Sequence, residues 1–333
     1  MELLRILGSP FETSPTSKKA ETTTELLQLS AKNRMLFLFL DTIEQDGLSQ
    51  YSYLFEKENL RRLEINRAVA RVSKVLTDAH VNHAFFKTIR PYRSTTVDID
   101  TLIFENNAYR KSINAMKKAG YRLVVIGPRS TTLWDQEANV GVDLYEQVAV
   151  SFTTYMDKQT LLGNTTETKI QQGEIVKTLT PEADLACIIA HSMIKEQMYT
   201  LSEYYTYIYY LKRMRINNFL RIVRQNHITV AARVHTAITA LLHKTAHNTV
   251  PLELQQILAS LGKENFETAR LVEKEYDTPH KYHPITIIRA LLEISKGKNT
   301  RKSLVDQLVH MSDPKISRDF LKKLTEHASR ETY

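Results

Sequence analysis

Apolar positions recur with the period of an α-helix in the first part of the chain. Between residues 26 and 79 they return every three or four residues, which places them on one helix face. The clearest series is Ile65, Val69, Val72, Leu76 and Ala79. Residues 9–25 are rich in Ser, Thr, Pro and Lys and lack this period, so they predict a flexible connector. We therefore expect a helical N-terminal segment over residues 1–80.

Residues 81–163 carry the shorter pattern of β-strands. The candidate strands are 83–89, 97–104, 122–126, 130–134 and 140–148. A helical pattern over 107–119 separates the second strand from the third and ends before Gly120, a residue suited to the left-handed conformation that follows many helices. This order predicts a small mixed sheet with one helix packed on it.

The pattern changes twice after residue 163. Residues 164–180 are polar with a few apolar positions and predict a hairpin that connects the sheet to the rest of the chain. From Pro181 onward nearly every segment is helical, with breaks expected near residues 217–218, 251, 262, 278–284 and 314. The predicted fold class is α/β (α+β): a mixed-sheet core over 81–163, flanked by the N-terminal segment and a helical C-terminal domain over 181–333.

Composition and charge narrow the classes of protein that fit. No apolar run approaches the roughly 18 residues of a membrane span, and the N-terminus lacks the pattern of a secretion signal. Cys187 is the single cysteine, which predicts a cytoplasmic protein without disulfides and a buried, apolar role for this side chain. The net charge is +8, and residues 181–333 hold 22 Lys and Arg against 16 Asp and Glu, so the basic excess is C-terminal.

Two of the predicted strands carry carboxylates among apolar residues. Strand alternation puts Asp98 and Asp100 on one face and their apolar neighbours on the other. Close carboxylates repel each other and resist burial, so this placement implies a compensating cation or basic group, unless the face is simply solvated. Asp143 lies in a later strand and can complete a three-carboxylate site. Three carboxylates on adjacent strands suit two Mg²⁺ ions about 3.5–4 Å apart.

The run from His83 to Asp143 resembles the nucleotidyltransferase superfamily, most closely its uncharacterised nucleotidyltransferase-like branch. That core has a strand, a phosphate-binding turn, an Asp-x-Asp strand, a helix and a later strand with the third carboxylate. The further matching residues are Phe85-Phe86-Lys87 before the turn, Arg93 before the Asp-x-Asp strand, Ala119-Gly120-Tyr121 at the helix end and Thr178-Leu179-Thr180-Pro181-Glu182 at the entry to the helical half.

The resemblance implies an activity and roles for the carboxylates. The activity is transfer of a nucleoside monophosphate from an NTP to a hydroxyl of a small molecule, a protein or RNA. Asp98 and Asp100 would hold both metal ions, while Asp143 would hold the catalytic ion and help to deprotonate the acceptor.

Two positions depart from the family pattern. The phosphate turn usually contains glycine, which lets backbone N–H groups approach phosphate, whereas the stretch here is Lys87-Thr88-Ile89-Arg90. Phosphate contact would then pass to side chains, and the candidates are Lys87, Arg90, Arg93, Ser94, Thr95 and Thr96. Tyr145 stands where the branch often has histidine. Two alternatives follow: a degenerate, non-catalytic protein that binds nucleotide or nucleic acid, and a structural protein whose sheet supports assembly.

A basic stretch in the C-terminal half predicts a second contact surface. Residues 204–252 contain no Asp or Glu. The candidate nucleic-acid or acceptor contacts are Lys212, Arg213, Arg215, Arg221 and Arg224, with a solvated basic face as the alternative. Five tyrosines between residues 204 and 210 have the chemistry to stack bases, but packing between helices is the expected role.

Three histidines have simpler interpretations than catalysis or metal binding. His243 and His247 are four residues apart, the spacing of a zinc pair on one helix face. The sequence shows no third ligand in the zinc-protease pattern, so we expect them to be ordinary surface or core residues. His191 lies in an apolar-rich helix and is expected to be a hydrogen-bonded core residue beside the nucleotide cleft.

Overall fold

The computed structural model describes residues 1–12, 24–45, 51–170, 173–312 and 317–318. The N-terminal helices are α1 (Glu2–Leu7), α2 (Thr24–Lys32), α3 (Leu36–Gln45) and α4 (Ser52–Asp78). The predicted apolar stripe of α4 is confirmed, because Ile65, Val69, Val72 and Leu76 are all buried. Most of the predicted connector, residues 13–23, lies outside the described residues, and Thr24 and Glu25 begin α2.

The segment that was predicted to contain strands does contain them. They are β1 (His83–Phe85), β2 (Asp98–Ile103), β3 (Arg122–Ile126), β4 (Ser130–Asp135), β5 (Val140–Tyr145), β6 (Val148–Val150) and β7 (Thr153–Met156), with α5 (Ala108–Lys118) after β2 and α6 (Lys158–Leu162) after β7. Two predicted strands were too long. β1 ends at Phe85 because Lys87 adopts φ +59°, which lies outside the β region. The strand predicted over 140–148 is divided into β5 and β6, which pair in different sheets.

The predicted hairpin over residues 164–180 is confirmed as β8 (Thr165–Lys169) and β9 (Ile175–Leu179). Its second strand also pairs in parallel with β1, so the hairpin extends the main sheet. The strand order of that seven-stranded sheet is β3-β4-β5-β2-β1-β9-β8. β2 and β5 therefore lie at its centre, and they run parallel to each other.

The C-terminal part is helical, as predicted. Its helices are α7 (Pro181–His191), α8 (Leu201–Leu211), α9 (Ile216–Gln225), α10 (Thr229–His247), α11 (Leu252–Leu261), α12 (Phe266–Glu273), α13 (Pro284–Ile294) and α14 (Lys298–Met311). A π-helical turn, Ser192–Glu196, continues α7, and the short strands β10 (Met198–Tyr199) and β11 (His280–Lys281) pair with each other. Across the described part of the chain, no helix is both long and apolar enough to cross a membrane.

The predicted breaks between these helices are mostly confirmed. α11 begins after Pro251 and ends before Gly262, and β11 occupies the break expected at 278–284. The break at residues 217–218 was wrong, because Asn217 and Asn218 lie in the first turn of α9. Asparagine is tolerated there, since the first turn of a helix leaves backbone N–H groups unpaired within the helix. Residue 314 lies outside the described residues.

The sheet separates two apolar cores. One face packs against α4 and α5 through residues such as Ile99 and Val142. The other face packs against the C-terminal helices through residues such as Leu102 and Tyr145, in a core that also contains Cys187, which confirms the buried role expected of this thiol. The predicted fold class, a mixed sheet with helical regions, is confirmed. Because side chains alternate along a strand, Asp98, Asp100 and Asp143 share the face that looks toward the C-terminal helices.

Candidate metal centre

The three predicted carboxylates meet at the centre of the sheet. In the parallel pairing of β2 with β5, Asp100 lies opposite Asp143 and Asp98 lies opposite Gly141. Each aspartate offers a carboxylate oxygen such that the three oxygens lie within 4.8 Å of one another. Among the described residues, this is the one cluster of three or more His, Cys, Asp or Glu side chains with metal-binding geometry. Adjacent parallel strands have therefore converted two separate sequence motifs into one site.

The carboxylates are crowded and poorly solvated, and their pKa values reflect this. The charge of Asp100, together with burial, raises the pKa of Asp98 to about 7. Burial and the charge of Asp100 also raise the pKa of Asp143, while the Thr132 hydroxyl donates a 2.5 Å hydrogen bond to Asp143 Oδ1. The cluster thus holds more negative charge than its surroundings neutralise, which is the condition that favours a bound cation.

Lys87 provides the closest cationic partner described for this cluster. Its Nζ lies 3.0 Å from Asp100 Oδ2, and both side chains are buried. Burial alone would raise the pKa of Asp100, but the charges of Lys87 and Lys195 and the hydrogen bond from Lys87 outweigh it and lower that pKa. Lys87 also places its ammonium 4.9 Å from the centre of the Phe86 ring and 5.4 Å from that of Tyr145. Tyr145, the departure from the family pattern, thus packs beside this ion pair.

The turn that carries Lys87 is fixed by side chains instead of glycine. The Lys87 N–H donates to Asp184 Oδ1 at 2.6 Å, and the Tyr210 hydroxyl donates to Asp184 Oδ2 at 2.8 Å. Thr88 accepts a 2.8 Å hydrogen bond at Oγ1 from the Asp100 N–H. These contacts tie the turn both to α7 and α8 and to the Asp-x-Asp strand. They explain how a non-glycine residue is held at positive φ.

The donor set fits a hard divalent cation. All three candidate ligands are carboxylates, which suit Mg²⁺ and similar ions. Asp100 Oδ1 is buried and has no hydrogen-bond partner among the described residues, and a bound cation would satisfy such an oxygen. Asp98 and Asp143, both partly exposed, open the cluster toward solvent. The cofactor prediction is therefore supported at the level of an acidic site that is able to bind metal.

A pocket with both basic and acidic walls contains two of the carboxylates, Asp98 and Asp100. Among the residues predicted from the sequence, Asp98, Asp100, Thr96 and Arg90 line this pocket. The lining residues that were not predicted are Arg34, Ile188, Lys195, Glu196 and Glu203. Arg34 comes from the link between α2 and α3, and Lys195 comes from the π-helical turn. Neither residue belongs to a recognisable sequence motif. Arg34 is far in sequence from the Asp-x-Asp strand, and the π-helical turn interrupts the helical period that would predict the direction of Lys195.

His191 lines the same pocket and is hydrogen bonded, as expected. Its Nδ1 lies 2.9 Å from the Tyr155 hydroxyl and 3.3 Å from Lys87 Nζ, and its Nε2 lies 3.0 Å from Glu196 Oε1. Burial and the neighbouring charges of Lys87 and Lys195 lower the pKa of His191 to about 3. The imidazole is therefore neutral at physiological pH and orients its neighbours instead of carrying charge.

The predicted phosphate-binding residues are divided by the structure. Lys87 and Arg90 line the pocket, and Arg90 Nη1 donates to Thr206 Oγ1 at 3.2 Å. Arg93 and Thr95 instead contact helical acids: Arg93 pairs with Asp41 of α3, and Thr95 donates to Glu58 of α4 at 2.8 Å. Ser94 is not among the pocket-lining residues described. Lys87 and Arg90 therefore lie at the pocket that contains the carboxylates, whereas Arg93 and Thr95 contact the N-terminal helices, and phosphate binding by any of these residues stays a prediction.

The basic stretch lies elsewhere on the molecule. Its five candidates, Lys212, Arg213, Arg215, Arg221 and Arg224, are exposed on α9 and on the turn before it. None of them lines the pocket beside the carboxylates in the described structure, although Arg213 borders a neighbouring cavity together with Arg90 and Thr178. The tyrosines at 204, 205, 207 and 210 are buried, which confirms packing as their role and removes them as stacking platforms.

The paired histidines of α10 also have structural roles. His243 Nε2 lies 2.9 Å from Ser9 Oγ, and its Nδ1 lies 2.8 Å from the Thr249 carbonyl oxygen. His247 Nδ1 lies 2.8 Å from Glu12 Oε1. The two imidazoles thus hold the N-terminal segment against α10, and the expectation that they are ordinary residues of the fold is supported.

Comparisons with known proteins do not identify a family for this chain. No family model matches the chain, and no curated protein matches it. Among solved structures, the chain is similar to a STING-associated CdnE c-di-GMP synthase from Capnocytophaga granulosa, with 11% sequence identity and a TM-score of 0.33 over 86% of this chain and 97% of that one. We draw no functional conclusion from a similarity of this size.

Proposed function

We propose that this protein is a metal-dependent nucleotidyltransferase, which moves a nucleoside monophosphate from an NTP to an acceptor hydroxyl. The observation that carries the proposal is the cluster of Asp98, Asp100 and Asp143, with oxygens within 4.8 Å of one another, at a pocket whose other charged walls are the cations Arg34, Lys87, Arg90 and Lys195 and the acids Glu196 and Glu203. Carboxylates that bind metal next to cations that attract phosphate are the two requirements of phosphoryl-group chemistry. The resemblance noted in the sequence points to the same activity.

Each carboxylate has a distinct part in the proposal. Asp98 and Asp100 would hold two Mg²⁺ ions, and Asp143 would hold the catalytic one with them. When bound, the metal would neutralise charge on the triphosphate and lower the pKa of the attacking hydroxyl. Asp143, whose pKa is raised by burial and by Asp100, accepts the proton of that hydroxyl. The acceptor oxygen bonds to the α-phosphorus as the bond to pyrophosphate breaks.

In this proposal the pocket binds the polyphosphate and not the whole nucleotide. Arg34, Arg90 and Lys195 line it, and Arg or Lys side chains bind phosphate through charge-assisted hydrogen bonds. Its volume is about 150 Å³, below the roughly 300–1,000 Å³ typical of small-molecule pockets. In this proposal the phosphates occupy the pocket and the nucleoside extends from it. The acceptor is a small molecule, a protein or RNA, and the exposed basic residues of α9 offer a surface for the RNA case.

A second candidate is a degenerate protein of the same fold that binds nucleotide without transferring it. It is favoured by the turn at Lys87 and Thr88, where side-chain contacts replace the glycine that exposes backbone N–H groups. The Lys87 N–H, in particular, is already bonded to Asp184 and is not available to a phosphate. The retained three-carboxylate geometry favours the catalytic proposal.

Thermal unfolding and pyrophosphate release together test these proposals. The wild type is compared with the Asp98→Asn, Asp100→Asn double variant in the presence of Mg²⁺ and each NTP. Because a ligand of the folded state raises apparent stability, by about 2.7 kcal/mol at 100 times Kd, we expect a Mg²⁺-dependent rise in Tm that the double variant loses. Pyrophosphate release in the presence of candidate acceptors supports catalysis. A shift without release for any acceptor supports the degenerate binder, and no shift with any NTP contradicts both.

A further inference from the structure

Lys87 stands in an unusual position for a residue of a metal centre. Its side chain is only 7% exposed, and its ammonium lies 3.0 Å from Asp100, one of the candidate ligands. A lysine that binds phosphate projects its charge into the open part of a pocket, whereas this ammonium is directed at a carboxylate. The side chain therefore supplies positive charge to the same oxygens that would hold a metal ion.

The position of this ammonium is imposed by the fold. Asp184 of α7 fixes the backbone at Lys87 through a 2.6 Å hydrogen bond, and Tyr210 of α8 holds Asp184 in turn. At the other end of the side chain, His191 Nδ1 lies 3.3 Å from Nζ, and His191 is itself bonded to Tyr155 and Glu196. Both ends of Lys87 are thus anchored by the helical part of the molecule.

The positive charge of Lys87 changes the charge balance of the carboxylate cluster. Three carboxylates in a poorly solvated cluster are unstable without compensation, and Lys87 supplies one positive charge whether or not metal is present. The Asp100 carboxylate 3.0 Å from Lys87 Nζ and the faces of Phe86 and Tyr145 beside the ammonium all favour the charged form of this side chain. A divalent cation entering the cluster meets the attraction of the carboxylates and the repulsion of this fixed ammonium at the same time.

We propose that Lys87 is a built-in cation of the carboxylate centre, which stabilises Asp100 in the metal-free protein and weakens the binding of divalent cations. The inference rests on the proposed function, since it takes the three aspartates to be metal ligands. It adds a regulatory property: metal binding is kept weak until the triphosphate of a substrate contributes further negative charge. The site would then assemble with the metal–nucleotide complex more readily than with the free ion.

The decisive experiment measures Mn²⁺ binding by electron paramagnetic resonance in the absence of nucleotide. We compare the wild type with Lys87→Gln, which removes the charge but keeps a hydrogen-bond donor for Asp100. The matched control is Lys158→Gln: Lys158 is 5% exposed, and its Nζ donates to the Asn106 side chain and the Glu146 carbonyl oxygen instead of the carboxylate cluster. We expect Lys87→Gln to bind Mn²⁺ about tenfold more tightly or better, and Lys158→Gln to bind it as the wild type does.

A second measurement addresses the metal-free state. The free energy of unfolding is determined for Lys87→Gln, Asp100→Asn and the double variant in chelator. Because each single change leaves a buried charge without its partner, we expect the double variant to be more stable than the sum of the single effects predicts. If Lys87→Gln fails to fold, the double variant remains informative, since it removes both charges and should fold. A double variant that is unfolded, or effects that are simply additive, contradicts the stabilising role.

The outcomes separate this inference from the proposed function. Tighter Mn²⁺ binding by Lys87→Gln alone supports the built-in cation. If the wild type binds Mn²⁺ and Lys87→Gln binds it equally or more weakly, the inference is wrong while the metal centre stands. If neither protein binds free Mn²⁺, the inference is wrong, and the proposed function is then decided by the Mg²⁺-dependent rise in Tm with NTP.

Discussion

Two buried acidic sites in this molecule are built in opposite ways. Glu267 of α12 is fully buried, and hydrogen-bond donors surround its carboxylate. Arg270 Nη1 and His280 Nε2 lie 2.8 and 2.9 Å from Oε2, while the His283 N–H and the Thr286 hydroxyl donate to Oε1 at 2.8 and 2.5 Å. Although burial opposes it, these partners lower the pKa of Glu267 to about 2. In the central cluster, crowding raises the pKa of Asp98 to about 7.

The two sites differ in how far hydrogen bonds within the fold satisfy their carboxylate oxygens. Glu267 joins α12, β11 and the start of α13, and its partners satisfy both oxygens. The cluster of Asp98, Asp100 and Asp143 has fewer donors, and one buried oxygen of Asp100 has none among the described residues. A saturated carboxylate has little use for a cation, whereas an unsaturated cluster gains from one. The contrast supports the proposed metal-binding role of the cluster on physical grounds that do not depend on the family resemblance.

The largest effect that we expect comes from the saturated site. Replacing Glu267 with Gln removes the charge and turns one acceptor oxygen into a donor that faces other donors. We expect the free energy of unfolding to fall by about 3 kcal/mol, because breaking a buried, hydrogen-bonded ion pair leaves its partners uncompensated. Urea unfolding measures the change, and the Mg²⁺-dependent rise in Tm should survive. A loss below about 1 kcal/mol would contradict the structural role.

A smaller effect, with the opposite sign, is expected for Asp98→Asn in the metal-free protein. The folded-state pKa of Asp98 is raised from 3.8 to about 7, so between these values the folded protein holds a proton that the unfolded chain has released. The wild type therefore loses stability as the pH rises through this window. Asparagine carries no such penalty. The full shift corresponds to about 4 kcal/mol, and because solvent screens the partly exposed Asp98, we expect Asp98→Asn to be more stable than the wild type by about 2 kcal/mol at pH 8.

The measurement is chemical unfolding of both proteins from pH 4 to pH 8 in chelator. The difference between them should vanish near pH 4, where the wild-type carboxyl is protonated in the folded state. Saturating Mg²⁺ should offset the penalty and reduce the wild-type pH dependence. A stability difference that is constant across the whole range would show that Asp98 does not titrate near neutrality.

The smallest effect is expected on the exposed basic face. Arg221 bonds to Gln225 and Asn218 of its own helix at the surface, and Arg224 is exposed in the last turn of α9. Replacing both with Gln should change the free energy of unfolding by less than about 0.5 kcal/mol and leave the Mg²⁺-dependent Tm shift intact. Binding of a single-stranded RNA, measured by fluorescence anisotropy at low salt, should weaken if this face contacts the acceptor. If RNA binding is unchanged, these residues form a solvated basic face and do not contact RNA.

The strands and helices that position the site were predictable because their signals are local. Alternation around Asp98 and Asp100 and the helical period of α4 can be read from a few neighbouring residues, and both are confirmed. Helix and strand ends were less predictable, since they depend on distant groups. β1 ends where Asp184 captures the Lys87 N–H, 97 residues away in sequence. No local pattern contains that interaction.

The site was predictable in its acids and only partly in its bases: Lys87 and Arg90 were predicted and line the pocket, whereas Arg34 and Lys195 were not predicted. Asp98, Asp100 and Asp143 interrupt apolar strands, and this contrast is visible in the sequence. Arg34 and Lys195 lie in helical regions where charged residues are common, so nothing marks them before the chain folds. Arg93 and Thr95 were nominated because they are near the Asp-x-Asp strand, but they face acids of α3 and α4. Proximity in sequence indicates which residues are near the strand and not the direction of their side chains.

The π-helical turn at Ser192–Glu196 has a consequence for how this region tolerates insertion and deletion. A π-turn contains one residue more than an α-turn, so it acts as a single-residue insertion absorbed within a helix. α7 remains packed in the core through Leu185 and Ile189, while the residues after His191 are rotated by the extra residue. The direction of the Lys195 side chain toward the carboxylate pocket therefore depends on the number of residues in this turn as well as on their identity. A chain shortened by one residue here would keep helix α7 in the core but direct a different side chain at the carboxylate pocket.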